Sequence, residues 1–207
     1  PSLIVLVIRC YKGKEDTSRW LERLGLGNRN RKNFVAPNGK LVWLHGASVG
    51  EALSLMPLIQ KLQKEPHVHI LLTTGTRTSA EIVNQHFTKM PAPNRLIHQF
   101  FPYDFFLCVR YFHVRWQPDV CIFTESEFWP EHLYQAKPIL INARISDTSW
   151  PKYLKYKWFF GWVLSHIPQA LAQREEDEKR LKILGVKNVK SSGNLKYDAD
   201  PLHYHKT

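Results

Sequence analysis

"LVWLHGASVGEALSLM", Leu41 to Met56, passes from large apolar side chains, through a turn of small residues, into apolar positions at helical spacing. An apolar run of this length bounded by turn residues predicts a strand over 41–46 and a helix over about 50–64. Pro57 predicts a kink in that helix, because proline removes a backbone donor. Ser48 precedes Glu51 at capping-box spacing, which predicts the serine hydroxyl on the Glu51 amide and the carboxylate back on the Ser48 amide. A carboxylate at that junction serves as a cap or as a chemical group facing a ligand, and spacing alone leaves both open.

The same alternation continues along the chain. Further strand candidates lie at 68–74, 95–101, 119–124, 138–142, 169–173 and 188–191, with helical candidates at about 78–88, 104–116, 128–136, 152–165 and 174–184. Strand, helix, strand at this spacing implies an α/β, Rossmann-like parallel sheet with helices on both faces. Ligands bind such sheets where strand C-terminal ends meet helix N-termini. Four junctions there carry polar chemistry. Beyond the first, "CIFTESEFWPE" delivers Glu125 to a strand end and starts the next element with Glu127, Trp129 and Pro130. Paired carboxylates at such an edge suit general acid–base work, charge stabilisation or acceptance of sugar hydroxyls, and equally a solvated acid pair. "ILINARISDTSW" ends a strand in Asn142 and Arg144, and "VKSSGNLKYD" sets Gly193 and Asn194 before Lys196 and Asp198. Arg and Lys at strand ends suit an anionic ligand or an ordinary ion pair.

Composition narrows the partners. The 207 residues, 43% hydrophobic and 13% aromatic, suffice for one sizeable core. Lys and Arg number 29 against 18 Asp and Glu, a formal charge of +11 that favours nucleic acid, lipid headgroups or a phosphorylated substrate. From Arg9 to Lys40 there are nine basic residues and three acids, which reads as a surface-facing arm. The preceding "SLIVLVI" is too short to span a bilayer, which takes roughly 20 residues. It reads either as the cytoplasmic end of a longer anchor, flanked by Arg9, Lys12 and Lys14, or as a short buried strand. Cys10, Cys108 and Cys121 are far apart and suggest reduced thiols. The pairs His67/His69, placed on one strand face by alternation, and His203/His205 lack the further ligands of a zinc site, so no metal is expected. No phosphate-binding P-loop, nucleophile elbow or dinucleotide fingerprint occurs. "WPKYLKYKWFFGWVL" mixes lysines and aromatics, and a core-facing helix with a basic rim against a membrane suits it better than stacking on nucleic acid.

Taken in order, "HGASVGE", "FTESEFWPE", "INARIS" and "GNLKYD" resemble the N-terminal half of the bacterial 3-deoxy-D-manno-octulosonic acid (Kdo) transferases, and "SRWLERLG" and "FPYD" also fit. The resemblance implies an inverting, metal-independent glycosyltransferase of the GT-B type, with two Rossmann-like domains across a cleft and no cofactor. It implies transfer of Kdo from CMP-Kdo to lipid A precursor at the cytoplasmic face of the inner membrane. Position by position, it makes Glu51 the general base, with Glu125 and Lys196 stabilising the transition state. Around them Ser48, Gly50, Glu127, Asn142, Arg144 and Asn194 are candidate substrate contacts. Residues 1–40 are then the apolar start and basic arm, 41–198 the acceptor-side domain and 199–207 the start of a linker, with CMP-Kdo bound by a C-terminal domain outside this chain. The acylated, phosphorylated acceptor makes an anionic membrane, rather than nucleic acid, the expected partner surface. The alternative is a non-catalytic module that binds anionic lipid or a partner protein.

Overall fold

The computed structural model describes residues 16–27 and 29–194. The apolar start with Cys10, Lys196, Asp198, His203, His205 and the expected linker lie outside the described residues. Seven parallel strands form one sheet: β1 Lys40–His45, β2 Val68–Thr74, β3 Leu96–Phe100, β4 Val120–Thr124, β5 Ile139–Ala143, β6 Gln169–Ala172 and β7 Val189–Ser191, in the order β3-β2-β1-β4-β5-β6-β7. The order runs outward in opposite directions from β1 and β4, so the crevice between their C-terminal ends is the topological switch point where such sheets bind ligands.

The strands are continuous apolar runs because both sheet faces are covered. On one face Val42, Leu44, Ile70 and Leu72 meet Leu55 and Ile59 of the first helices and Val83 of the next. On the other Trp43, Leu71, Phe123 and Leu140 meet Phe112, Leu133, Val163 and Leu181. The helices are α1 Val49–Ser54, α2 Met56–Leu62, α3 Arg77–Phe87, α4 Phe106–Trp116, α5 Pro130–Ala136, α6 Trp150–Lys155, α7 Lys157–Leu164 and α8 Glu175–Ile183.

Four expectations need correction. The helix over 50–64 is two helices that part at Leu55, with Pro57 in the first turn of α2, where its missing N–H costs nothing. The helix over 152–165 likewise divides at Tyr156 into α6 and α7. The basic arm is not all surface. Trp20–Leu24 forms a 3-10 turn whose Arg23 is buried and donates to the carbonyl oxygens of Phe101 at 3.0 Å and Gly75 at 2.8 Å. Arg19 grips Glu22 through two hydrogen bonds of 2.8 Å and donates to the His98 carbonyl at 3.0 Å. These guanidiniums tie the arm to the ends of β2 and β3, so their charge holds the fold instead of waiting for a partner. His67 falls in the turn before β2, while His69 is buried within it.

Candidate functional site

The site grows from the β1–α1 junction. Ser48, extended at φ −104° and ψ 169°, ends the turn and caps α1, its hydroxyl accepting from the Glu51 amide at 3.3 Å. The reciprocal bond differs from the expected box: Glu51 Oε2 accepts from the amide of Ala47 at 3.0 Å rather than that of Ser48, and Oε1 accepts from the Ser48 hydroxyl at 2.7 Å. The turn is tight enough that a Cβ on Gly46 would stand 2.9 Å from the Ala52 nitrogen. Thr124, at the end of β4, sets its hydroxyl 3.2 Å from Glu51 Oε2 and 3.1 Å from the His45 carbonyl oxygen. One hydroxyl proton thus serves either acceptor, and the carboxylate is tied to β4 across the switch-point crevice. Cap and crevice-facing group are the same carboxylate. Gly50, exposed in the first turn of α1, leaves the approach open.

On the other side of the crevice Glu125 follows β4 with φ 53°, a left-handed backbone that disfavours glutamate. Its amide donates to the Ile141 carbonyl at 3.1 Å, so the strand end holds it there. Strain of this kind is common at functional sites, which keeps Glu125 a candidate there. Glu127 is half-buried. Its Oε2 accepts from His45 Nε2 at 3.2 Å and from the indole N–H of Trp129. Burial alone would raise its carboxyl, but the hydrogen bond and charge of His45, with the Trp129 N–H, outweigh it and hold the group below the usual glutamate range.

Asn142, the last residue but one of β5, has φ 53° beside a register irregularity and is buried, so its place is dictated first by backbone geometry. Arg144 follows, its carbonyl accepting from the Ser126 hydroxyl and its side chain exposed. Asn194 is half-buried beyond β7, at the far end of the sheet order from β1. The structure therefore brings Ser48, Glu51, Glu125 and Glu127 to the β1/β4 crevice, sets Asn142 and Arg144 one strand away on β5, and leaves Asn194 at the sheet edge.

Several residues of the crevice were not marked by the sequence. A cavity of about 220 Å³ opens beside it, lined by Arg23, His45, Phe101, Asp104, Glu127 and Trp129 among others. His45 is fully buried and stacks on Phe101 at 3.7 Å between ring centroids, and Phe101 stacks also on His132 at 4.0 Å. Asp104 caps the start of α5 by accepting from the His132 amide at 3.1 Å. Burial pushes its carboxyl up to about 6, against the opposing pull of the His132 and Glu131 amides. A histidine at the end of an apolar run looks like core, and only the strand order shows that this run ends at the switch point. A larger cavity of about 560 Å³ lies at the β3 edge, between residues such as Arg19, Phe87 and His98, away from the crevice.

Comparison with known proteins gives the family and the fold. Residues 18–199 match the family model described as 3-deoxy-D-manno-octulosonic-acid transferase (kdotransferase). The chain is 34% identical to the 3-deoxy-D-manno-octulosonic acid transferase of Rickettsia bellii, over 96% of this chain and 46% of that protein. It is 37% identical to that of Rickettsia felis, over 96% and 52%, and 31% identical to that of Haemophilus influenzae, over 93% and 46%. The chain thus spans about half the length of the curated relatives it matches. A crystal structure from Listeria monocytogenes, described as a UDP-N-acetylglucosamine 2-epimerase, superposes with a TM-score of 0.51 at 14% identity, covering 81% of this chain and 50% of that one, and shares the fold. With the family model spanning the sheet from its first strand to its last, the chain belongs to the Kdo transferase family, whose N-terminal domain it forms.

Proposed function

We propose that this domain holds the acceptor in an inverting transfer of Kdo from CMP-Kdo to lipid A precursor, with Glu51 as the general base. The observation that carries the reading is the fixing of both Glu51 oxygens at the switch-point crevice by the Ala47 amide and the Ser48 and Thr124 hydroxyls. A carboxylate oriented before the substrate arrives needs little rearrangement to take a proton from the attacking sugar hydroxyl. Departure of CMP develops negative charge on the leaving group and positive character on the donor ring. Lys196 offsets the first, and Glu125, aimed by its left-handed backbone, faces the second or orients the acceptor. These side chains supply the charge that the transfer asks for, in keeping with a metal-independent reaction.

The donor is held by a C-terminal domain, and the reacting atoms meet when the cleft closes. The acceptor reaches the crevice from the cytoplasmic face of the inner membrane. Among the described residues no helix is long and apolar enough to cross a membrane. The described surface offers a peripheral contact. The layer formed by α4, α5 and α7 exposes Phe106, Leu107, Tyr111, Tyr134, Trp158 and Trp162 beside Arg110, Lys152, Lys155 and Lys157. Aromatic side chains beside lysines suit an anionic lipid surface.

Release of CMP, measured with CMP-Kdo and lipid A precursor for this chain, for the C-terminal half of a relative and for their mixture, tests the division of labour. Release by the mixture alone is expected, since positioning across the cleft contributes about 7–11 kcal/mol to lowering such barriers. CMP-Kdo-dependent transfer by this chain alone would place the donor site in this domain and overturn the reading.

A further inference from the structure

The geometry points to His45 as a positioning residue that clamps Glu127, so that the free oxygen of that carboxylate receives a hydroxyl of the acceptor sugar. The role assigned to Glu127 rests on the acceptor reading above; the clamp itself rests on hydrogen-bond accounting.

His45 Nδ1 lies 3.0 Å from both the carbonyl oxygen and the hydroxyl of Thr73. The carbonyl only accepts. The Thr73 hydroxyl receives the Trp43 indole N–H at 2.9 Å, and its single proton serves either the Leu44 carbonyl at 3.3 Å or Nδ1. Nδ1 thus faces one fixed acceptor and one hydroxyl that either accepts from it or donates to it. Nε2 faces Glu127 Oε2 at 3.2 Å, and that oxygen already accepts from Trp129. A carboxylate held below the usual glutamate range only accepts, so the N–H of that contact stands on Nε2. Nε2 therefore donates to Glu127, and the Thr73 hydroxyl turns to suit Nδ1.

The ring has no freedom to turn away. It is fully buried, stacked on Phe101 at an interplanar angle of 15°, with His132 against the same phenyl ring and Arg23 and Asp104 on the cavity wall. Glu127 Oε2 is thus pinned by two N–H donors from different parts of the chain. Oε1 makes no hydrogen bond to a described residue, and Glu127 lines the cavity beside the exposed Trp129. A fixed carboxylate oxygen next to an aromatic face is chemistry that suits a sugar, the oxygen taking a hydroxyl proton and the indole covering the C–H face.

Nitrogen-15 NMR of this chain with labelled histidine, compared between the wild type and Glu127→Gln at neutral pH, tests the clamp. One ring with a protonated Nε2 in the wild type should shift its Nε2 resonance in the variant, with no other ring affected. An unchanged set of rings would overturn the clamp. Binding of deacylated lipid A precursor by the same chain tests the use of the clamp. His45→Asn keeps a donor toward Thr73 but loses the reach to Glu127, and His45→Gln restores that reach. His45→Asn and Glu127→Gln should weaken binding by about 10–100-fold, the range of one charge-assisted hydrogen bond, with His45→Gln recovering most of the loss. Equal weakening by His45→Asn and His45→Gln would reduce His45 to a packing role and overturn the proposal. Failure of the wild type to bind the deacylated precursor would overturn the sugar assignment of Glu127, while the ring signature decides the clamp by itself. Should the His45 variants not fold, Glu127→Gln carries both measurements.

Discussion

Each acidic side chain of the crevice owes its character to its neighbours. Glu51 is held by an amide and two hydroxyls, Glu127 by an imidazole and an indole, and Asp104 by burial against two amides. Asp104 makes a pH prediction. Its folded-state value of about 6 stands above the ordinary 3.8, so the native state binds the proton more readily than the unfolded chain does. The stability that the protonated carboxyl contributes is complete below about pH 4, declines as pH rises toward about 6 and is gone above it. Urea unfolding across this window should show the wild type losing stability relative to Asp104→Asn; parallel curves would contradict the burial of that carboxyl. Strand-end position made Glu51, Glu125 and Glu127 legible in the sequence, because a parallel sheet presents its chemistry at strand C-termini. His45 was not legible. Its role depends on Thr73, Phe101 and Glu127, which come from three other strands and their loops, and no local spacing encodes that meeting.

The elements were the most readable part of the chain. All seven strands fall where apolar runs placed them, since burial on both faces leaves little room for polar residues. The turn at Trp20–Leu24 was hidden by its own charge: a segment dense in arginine reads as solvated, whereas Arg23 is spent on backbone carbonyls at the ends of β2 and β3. Replacing it measures that use. Arg23→Ala leaves the Gly75 and Phe101 carbonyls without this donor and should cost about 2–4 kcal/mol in denaturant unfolding. Arg23→Lys should recover only part, because one ammonium does not reproduce the planar fork that bridges two carbonyls. A loss under about 0.5 kcal/mol for the alanine variant, as for an ordinary surface site, would return the segment to the status of a surface arm.

At the scale of the whole molecule, one sheet separates two faces of different character. Leu55, Ile59 and Val83 seal the face of α1 to α3, while α4, α5 and α7 turn aromatic side chains outward, Trp158 being 79% exposed. Sedimentation with vesicles should show binding to anionic lipid that weakens with salt, and Trp158→Ser with Trp162→Ser should reduce it without altering the fold. Equal binding to neutral vesicles would remove charge from the attachment. The domain nature of the chain was legible from four ordered motifs, but Lys196 lies beyond the described residues, so its approach to the crevice rests on the family resemblance. What unites the scales is the Glu51 carboxylate, capping one helix, bridged to β4 and facing the crevice of the sheet. The measurement that bears on it is CMP release from CMP-Kdo with lipid A precursor, by this chain supplied with the C-terminal half of a relative, for the wild type and Glu51→Gln. The amide oxygen still accepts from Ala47, its NH2 meets the Ser48 hydroxyl as a donor, and the group takes no proton, so the rate should fall about 10²–10⁴-fold with unfolding unchanged; wild-type turnover by Glu51→Gln would contradict the assignment of the general base.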